Sequence, residues 1–234
     1  MSEDLELETY LSISPNKFGI YLLDPKKNIN LYKEELRFEN NSENINFVYL
    51  NKFLEENIFK IEKLNGDFIE NIFLIVKSLD VVNLEIGIKK KNYENSVNKK
   101  YLVNAVTEAK DLVKETYQDS KIIHIIIKNL QINDYDFLSI QKSFESKDLG
   151  LEISFISIHH NLIFQLEKIL EKYQIKINRY LCGSYIGEFS RVHGAEFSTM
   201  ANKIIKGFNK NEVGLVKKNE ENTGFFEKFF QLFS

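Results

Sequence analysis

Tyr10-Leu11-Ser12-Ile13-Ser14-Pro15-Asn16-Lys17-Phe18-Gly19-Ile20-Tyr21-Leu22-Leu23-Asp24 is the stretch on which the fold turns. Two β-rich runs, Tyr10 to Ile13 and Phe18 to Asp24, flank Ser14-Pro15-Asn16-Lys17. Pro and Asn between such runs are turn chemistry, so the stretch predicts a β-hairpin. Asp24-Pro25-Lys26-Lys27-Asn28 is a second turn, and Ile29 to Arg37 reads as a third strand. The chain therefore opens with a three-stranded meander.

Outward from the meander, Leu50, Phe53, Leu54, Ile58 and Ile61 recur at spacings of three and four. They predict an amphipathic helix over 49–65, with Gly66 placed to end it. Ile72 to Val76 reads as a buried strand and Val81 to Ile88 as an alternating one. Asn98 to Gln118 is a second helix, with Leu102, Val103, Val106, Ala109, Leu112 and Val113 inward. Strands follow at Ile122 to Ile127 and Leu130 to Phe137, separated by a turn at Lys128-Asn129, and at Leu151 to Ile158. A helix over Asn161 to Tyr173 and a strand over Ile175 to Tyr180 close the series. From 79 to 180 the order is strand, helix, strand, strand, strand, helix, strand. That order predicts an α+β unit with helices on one face of a mainly antiparallel sheet. Glu196 to Gly207 is a further short helix, and the polar stretch 209–223 reads as a tether.

The composition sets bounds. With 234 residues the chain can bury a sizeable core. A net charge of −3 leaves no basic field to hold nucleic acid. The lone Cys182 fits a reducing compartment. Met1 to Thr9 is acidic and lacks the regions of a signal peptide. No stretch reaches the ~20 apolar residues of a spanning helix, so a cytosolic protein is expected.

Catalytic and metal signatures are missing. His124 lies inside a strand, where a packed structural role is expected. His159-His160 stands at a strand-to-helix junction, and His193 in a loop Arg191-Val192-His193-Gly194. None has partners at metal-ligand spacing. Gly183-Ser184-Tyr185-Ile186-Gly187 does not match the spacing of a nucleophile elbow, and Cys182 reads as a small buried residue. Neither glycine-rich phosphate motif occurs. No catalytic residue, metal site or cofactor is expected.

The C-terminal stretch Gly224-Phe225-Phe226-Glu227-Lys228-Phe229-Phe230-Gln231-Leu232-Phe233-Ser234 has another character. Wound as a helix, it places Phe225, Phe226, Phe229, Phe230, Leu232 and Phe233 within about 160° of arc. Glu227, Lys228 and Gln231 fill the other side. Such a stripe can lie among the acyl chains at a membrane surface, or dock on the domain or in a partner's groove. The six apolar residues are the membrane-binding candidates.

Four segments together resemble the FtsA family of actin-like bacterial cell-division proteins. Tyr10 to Phe18 resembles the family's opening hairpin. Ile72 to Ile88, Val103 to Val113 and Ile122 to Phe137 resemble the small subdomain inserted into its first lobe. Ile153 to Asn161 and Leu170 to Ile186 resemble the subdomain's last elements and the return to the lobe. Phe197 to Phe208, the tether and the Phe-rich stretch resemble the C-terminal end. The resemblance implies a partial actin-like first lobe (1–78), an inserted interaction subdomain (79–180), a return to the lobe with a short helix (181–208), the tether (209–223) and an amphipathic membrane-binding helix (224–234). Where the family opens with Asp-x-Gly to organise Mg²⁺ and phosphate, this chain holds Ser12 and Ser14. The second phosphate hairpin, the adenosine-binding glycines and the second lobe have no counterpart here.

The resemblance therefore implies a non-catalytic, membrane-tethered scaffold on the cytoplasmic face of the inner membrane. Its partners would be the membrane surface, other division proteins and a second copy of itself. Binding to FtsZ is placed in doubt, because the family's second lobe supplies that surface. Two alternatives share the fold family: a scaffold of a pilus or secretion assembly like PilM, and a degenerate actin-like ATP-binding protein.

Overall fold

The computed structural model describes residues 7–39, 43–91, 99–132, 135–136 and 148–213. In chain order the elements are β1 (Glu8–Ser14), β2 (Lys17–Asp24), β3 (Ile29–Arg37), α1 (Phe47–Asn65), β4 (Asn71–Val76), β5 (Val81–Lys91), α2 (Lys99–Thr116), β6 (Ser120–Ile132), β7 (Tyr135–Asp136), β8 (Asp148–His159), α3 (His160–Glu171), β9 (Lys176–Cys182), α4 (Gly183–His193) and α5 (Phe197–Ile205). The fold is mixed α+β. The chain passes between two units at Val81/Val82, Ile158/His159 and Lys206/Gly207.

The first unit is built on a five-stranded sheet in the order β3-β2-β1-β4-β9. The opening hairpin pairs from Glu8↔Leu23 to Ser14↔Lys17, and Ser14 Oγ donates to Lys17 O at 3.0 Å across the turn. The second turn is held by Asp24, whose Oδ1 accepts the N–H groups of Lys26 and Lys27. Asn28 leaves that turn at φ 56°, a conformation its short polar side chain tolerates. In β3 the register jumps from Leu22↔Tyr32 to Leu23↔Asn30, which leaves Leu31 as a bulge on the edge strand. β4 pairs parallel with β1, and β9 parallel with β4.

Helix α1 forms for local reasons. Asn46 Oδ1 accepts the N–H groups of Val48 and Tyr49, and Gly66 ends the helix at φ 79° by donating to Glu62 O. The five apolar residues expected inward are buried. Asn57 is buried among them, donating to Phe53 O at 2.6 Å and accepting from Tyr32 Oη. Burying this amide without those bonds would cost about 1–3 kcal/mol.

Residues 183–193 form α4, an element the sequence does not suggest. His193 is therefore the last residue of a helix, and not in a loop as expected. Gly194 caps the helix at φ 61°. Helix α5 follows and is tied to the meander by polar contacts. Ser198 Oγ donates to Asn30 at 2.8 Å, Lys33 Nζ reaches Glu196 at 3.1 Å, and Asn202 Nδ2 donates to Tyr10 Oη and to Glu8.

The second unit has a four-stranded sheet in the order β5-β8-β6-β7. Its core joins Leu102, Val106, Ala109 and Val113 of α2 to Ile125, Ile127, Leu151, Ile153 and Phe155 of the sheet. Leu112, expected inward, is 55% exposed. It stands about 100° from Val113 around the helix, outside the buried stripe. The expected turn at Lys128-Asn129 is absent, since β6 runs unbroken from Ser120 to Ile132. Ile127 and Leu130 both enter the core, so the inward alternation shifts across that pair and the chain stays in the sheet. Ile132 pairs antiparallel with Tyr135 of β7.

The boundaries also differ from the sequence expectation. The inserted unit was expected over 79–180; α3 and β9 instead belong to the first unit, because β9 completes its sheet beside β4. The first residues of the expected tether are docked. Ile127 N–H donates to Asn211 O at 2.9 Å, Val213 N–H donates to Ile125 O at 2.8 Å, and Val213 is in the core.

Candidate functional site

In an open sheet with parallel strands, ligands gather outside the carboxyl ends of those strands. In the first unit these are the ends of β1, β4 and β9, which bring Ser14, Lys77 and the start of α4 into view. Ser12 and Ser14 are half-buried. Ser12 lies in register with Gly19 and Ile75, and the Ser14 hydroxyl is spent within the turn, reaching both Asn16 and Lys17. Neither side chain carries the negative charge that holds a divalent ion.

After β4, Lys77 N–H donates to Ile13 O at 2.9 Å, which closes β1 against β4. Asp80 accepts from Ser78 Oγ at 2.9 Å. Gly183 begins α4 in close contact with this exit. A Cβ on Gly183 would stand 2.9 Å from Lys77 Cβ and 3.2 Å from Lys77 N. The helix start is thus pressed on the β4 exit, and it needs glycine there. The preceding Cys182 is buried, and burial pushes its thiol up, an effect only partly offset by nearby backbone N–H groups and Lys77. A thiol held protonated is a poor nucleophile.

The histidines are distributed. His159 precedes α3 and its N–H donates to Asp80 O at 3.0 Å. His160 opens α3, and His193 stacks on Phe189 at the end of α4. Among the described residues no group of three His, Cys, Asp or Glu side chains is placed to hold a metal ion. A cavity of about 740 Å³ lies at the opposite, amino ends of β4 and β9. Its walls mix Ile58, Phe68 and Tyr173 with Glu62, Lys172 and Lys176, which makes it a surface groove of both charge signs.

A buried polar pair lies in the second unit. His124 Nδ1 of β6 lies 2.7 Å from Glu212 Oε1, with side-chain exposures of 0% and 6%. The sequence marks His124 as packed but gives no sign of Glu212, 88 residues away. A buried imidazole in a strand needs a polar partner, and that requirement is the only signal the sequence holds. The candidate membrane residues Phe225, Phe226, Phe229, Phe230, Leu232 and Phe233 lie outside the described residues. No helix among the described residues is long and apolar enough to cross a membrane.

No family model matches the chain, and no curated protein matches it. Solved structures similar to it include the PilM–PilN type IV pilus biogenesis complex, at 9% identity and a TM-score of 0.49 over 78% of this chain and 49% of that one. Another is the cytoplasmic domain of EpsL, an inner membrane component of the type II secretion system of Vibrio cholerae, at 10% identity and a TM-score of 0.35 over 75% and 54%. A third is a protein of unknown function with an actin-like ATPase fold from Bacteroides thetaiotaomicron, at 12% identity and a TM-score of 0.30 over 82% and 58%. The chain spans about half the length of the structures it matches. At these identities and with every TM-score below 0.5, the likeness assigns no residue a role.

Proposed function

We propose that the chain is a non-catalytic scaffold of partial actin-like fold, held at a membrane surface by the Phe225–Phe233 stripe. The observation that carries the non-catalytic part is the geometry at the carboxyl ends of β1, β4 and β9. Ser12 and Ser14 replace the expected metal-organising residues, the Ser14 hydroxyl is turned into its own hairpin, and α4 starts in contact with Lys77. Calorimetry with Mg-ATP tests this part: the expected result is no heat of binding, and stoichiometric binding refutes it.

The membrane part rests on the aromatic stripe and is tested by co-sedimentation with liposomes. Replacing Phe229 with Glu puts a charge at the middle of the apolar face, so sedimentation should fall to the level of a chain lacking 225–234. Unchanged sedimentation refutes it.

The assembly served is placed first as a pilus or secretion apparatus and second as the division machinery. The similar structures reported above are named for the first kind. Affinity capture from a membrane fraction separates them. Recovery of pilus or secretion components supports the first placement, and recovery of division proteins alone replaces it with the second.

A further inference from the structure

Strand β6 is thirteen residues long, and among the described residues β7 pairs with it at Gln131 and Ile132. Asn209 to Val213 occupies the edge further back. Ile126 and Glu212 face each other as an antiparallel bridge, flanked by the two backbone hydrogen bonds to Asn211 and Val213. On one side of this ribbon Glu212 meets His124; on the other Val213 enters the core of the second unit. An uncovered edge is a template for another strand, and here the cover pairs through three residues, Asn211, Glu212 and Val213. The segment joins the rest of the chain through Gly207, at φ 85°, where the chain passes from the first unit to the second.

We infer that the Ile125–Ile127 edge of β6 is a strand-accepting site, that Asn209–Val213 is its releasable resident, and that the same segment of a second copy can take the resident's place. The occupant is set by complementarity. A buried imidazole at position 124 calls for a carboxylate at this register, and a core opening beside Ile125 calls for a small branched side chain. The segment Asn211-Glu212-Val213 supplies both, and a second copy supplies it again with no new contact to invent. Exchange of an identical element needs only the connection to reopen, and Gly207 is the residue there with the widest choice of backbone angles. The exchange is reciprocal and closes as a dimer. It also places two aromatic stripes in one assembly, a consequence that rests on the membrane reading, whereas the exchange does not.

The test uses the full chain with Cys182→Ser as background. Ile127→Cys and Asn211→Cys are made separately and together; these residues lie opposite each other in the ribbon. Under mild oxidation the double variant forms a disulfide. The two single variants, mixed at high concentration and then oxidised, should give a cross-linked species of twice the 27.5 kDa chain mass, at least tenfold above a mixture of Asn211→Cys with an exposed Lys63→Cys control. A disulfide within the double variant and no cross-linked species from the mixture overturns the exchange. Hydrogen exchange tests release without relying on association. Glu212→Ala should speed exchange of the Ile127 amide at least tenfold and leave the Ile75 amide unchanged, while Glu212→Gln, which keeps a hydrogen-bonding group, should restore most of the protection. Equal rates in wild type and Glu212→Ala overturn the assignment of Glu212 as the hold on Asn209–Val213, the strap on β6.

Discussion

Replacing Gly183 with Ala tests whether α4 is pressed against the β4 exit. Gly183 lies at the first position of α4 and has no left-handed φ, so the backbone itself tolerates alanine. The added Cβ meets Lys77 Cβ at 2.9 Å, Lys77 N at 3.2 Å and the Val76 carbonyl carbon at 3.2 Å. Two of those atoms are backbone, and Lys77 N–H is bonded to Ile13 O, so the exit cannot withdraw without loosening β1 from β4. Overpacking of this kind costs roughly 1–3 kcal/mol. The gain from alanine over glycine in a helix, at most about 1 kcal/mol, opposes it weakly at a first-turn position. A net loss of about 1–2 kcal/mol lowers Tm by roughly 2–8 °C for a chain of this size. Gly187 in the same helix is the control. Its added Cβ meets only Phe197 Cε2 at 3.7 Å, an ordinary contact. Gly187→Ala should therefore stabilise by about 0.5–1 kcal/mol and raise Tm. Scanning calorimetry of the three proteins reads both signs. A Gly183→Ala protein with a Tm equal to or above wild type refutes the close contact.

Asn46→Ala removes the acceptor for the first N–H groups of α1 and should cost about 1 kcal/mol, read as a lower urea midpoint with an unchanged slope. The Asp24 carboxyl is held below the usual carboxylate range, chiefly by the Lys27 N–H and further by the Lys26 N–H and the Lys27 charge. A carboxyl depressed in the folded state stabilises above the unfolded pKa of about 4 and loses that contribution as pH falls below it. The stability difference between wild type and Asp24→Asn should accordingly be constant near neutral pH and shrink below about pH 4. A difference that grows on acidification refutes the assignment. Burial, reinforced by the carboxylates of Glu8, Glu35 and Glu167, pushes the phenols of Tyr10, Tyr21 and Tyr180 far above their ordinary range. A group raised in the folded state stabilises below its unfolded pKa, about 10 here, and loses that contribution as pH rises above it. In an alkaline titration these three of the eleven tyrosines should ionise only together with the loss of far-ultraviolet dichroism. Ionisation of all eleven before that loss refutes the burial of the three.

What the sequence reveals depends on how far away the deciding partner sits. The hairpin is legible because Pro15-Asn16 sets the turn within four residues, and α1 because its stripe and Gly66 belong to one segment. Helix α4 is not legible. Gly183, Ser184, Gly187 and Ser190 are weak helix formers, and what forms the helix is packing of Tyr185 and Ile186 in the first unit. The turn chemistry of Lys128-Asn129 loses to the sheet, which gains both Ile127 and Leu130 for its core by keeping the strand. The unit boundary fails for a related reason. The order of strands along the chain does not say which sheet a strand joins, and β9 joins β4 across a gap of about a hundred residues. The Glu212 partner of His124 is invisible for the same reason: the two meet only after both the strand and the strap are in place.

Both connections of the inserted unit start from one place in the first. The outgoing chain leaves at Asp80 and Val81, the returning chain arrives at His159, and His159 N–H is bonded to Asp80 O. Inserting a domain between residues already fastened to each other adds little loop-closure cost to the host sheet, since the ends of the insertion are close together in any case. The host can therefore keep β4 and β9 in parallel register whatever stands between Asp80 and His159. The third passage, at Lys206/Gly207, is of another kind, because it leads directly to the strap on β6. With the strap seated, the last described residue, Val213, lies in the core of the second unit. On the proposed reading, a pull on the aromatic stripe reaches the strap before it reaches α5. On the proposed reading, the membrane holds the contact-bearing unit directly, and release of the strap shifts that hold to the end of α5.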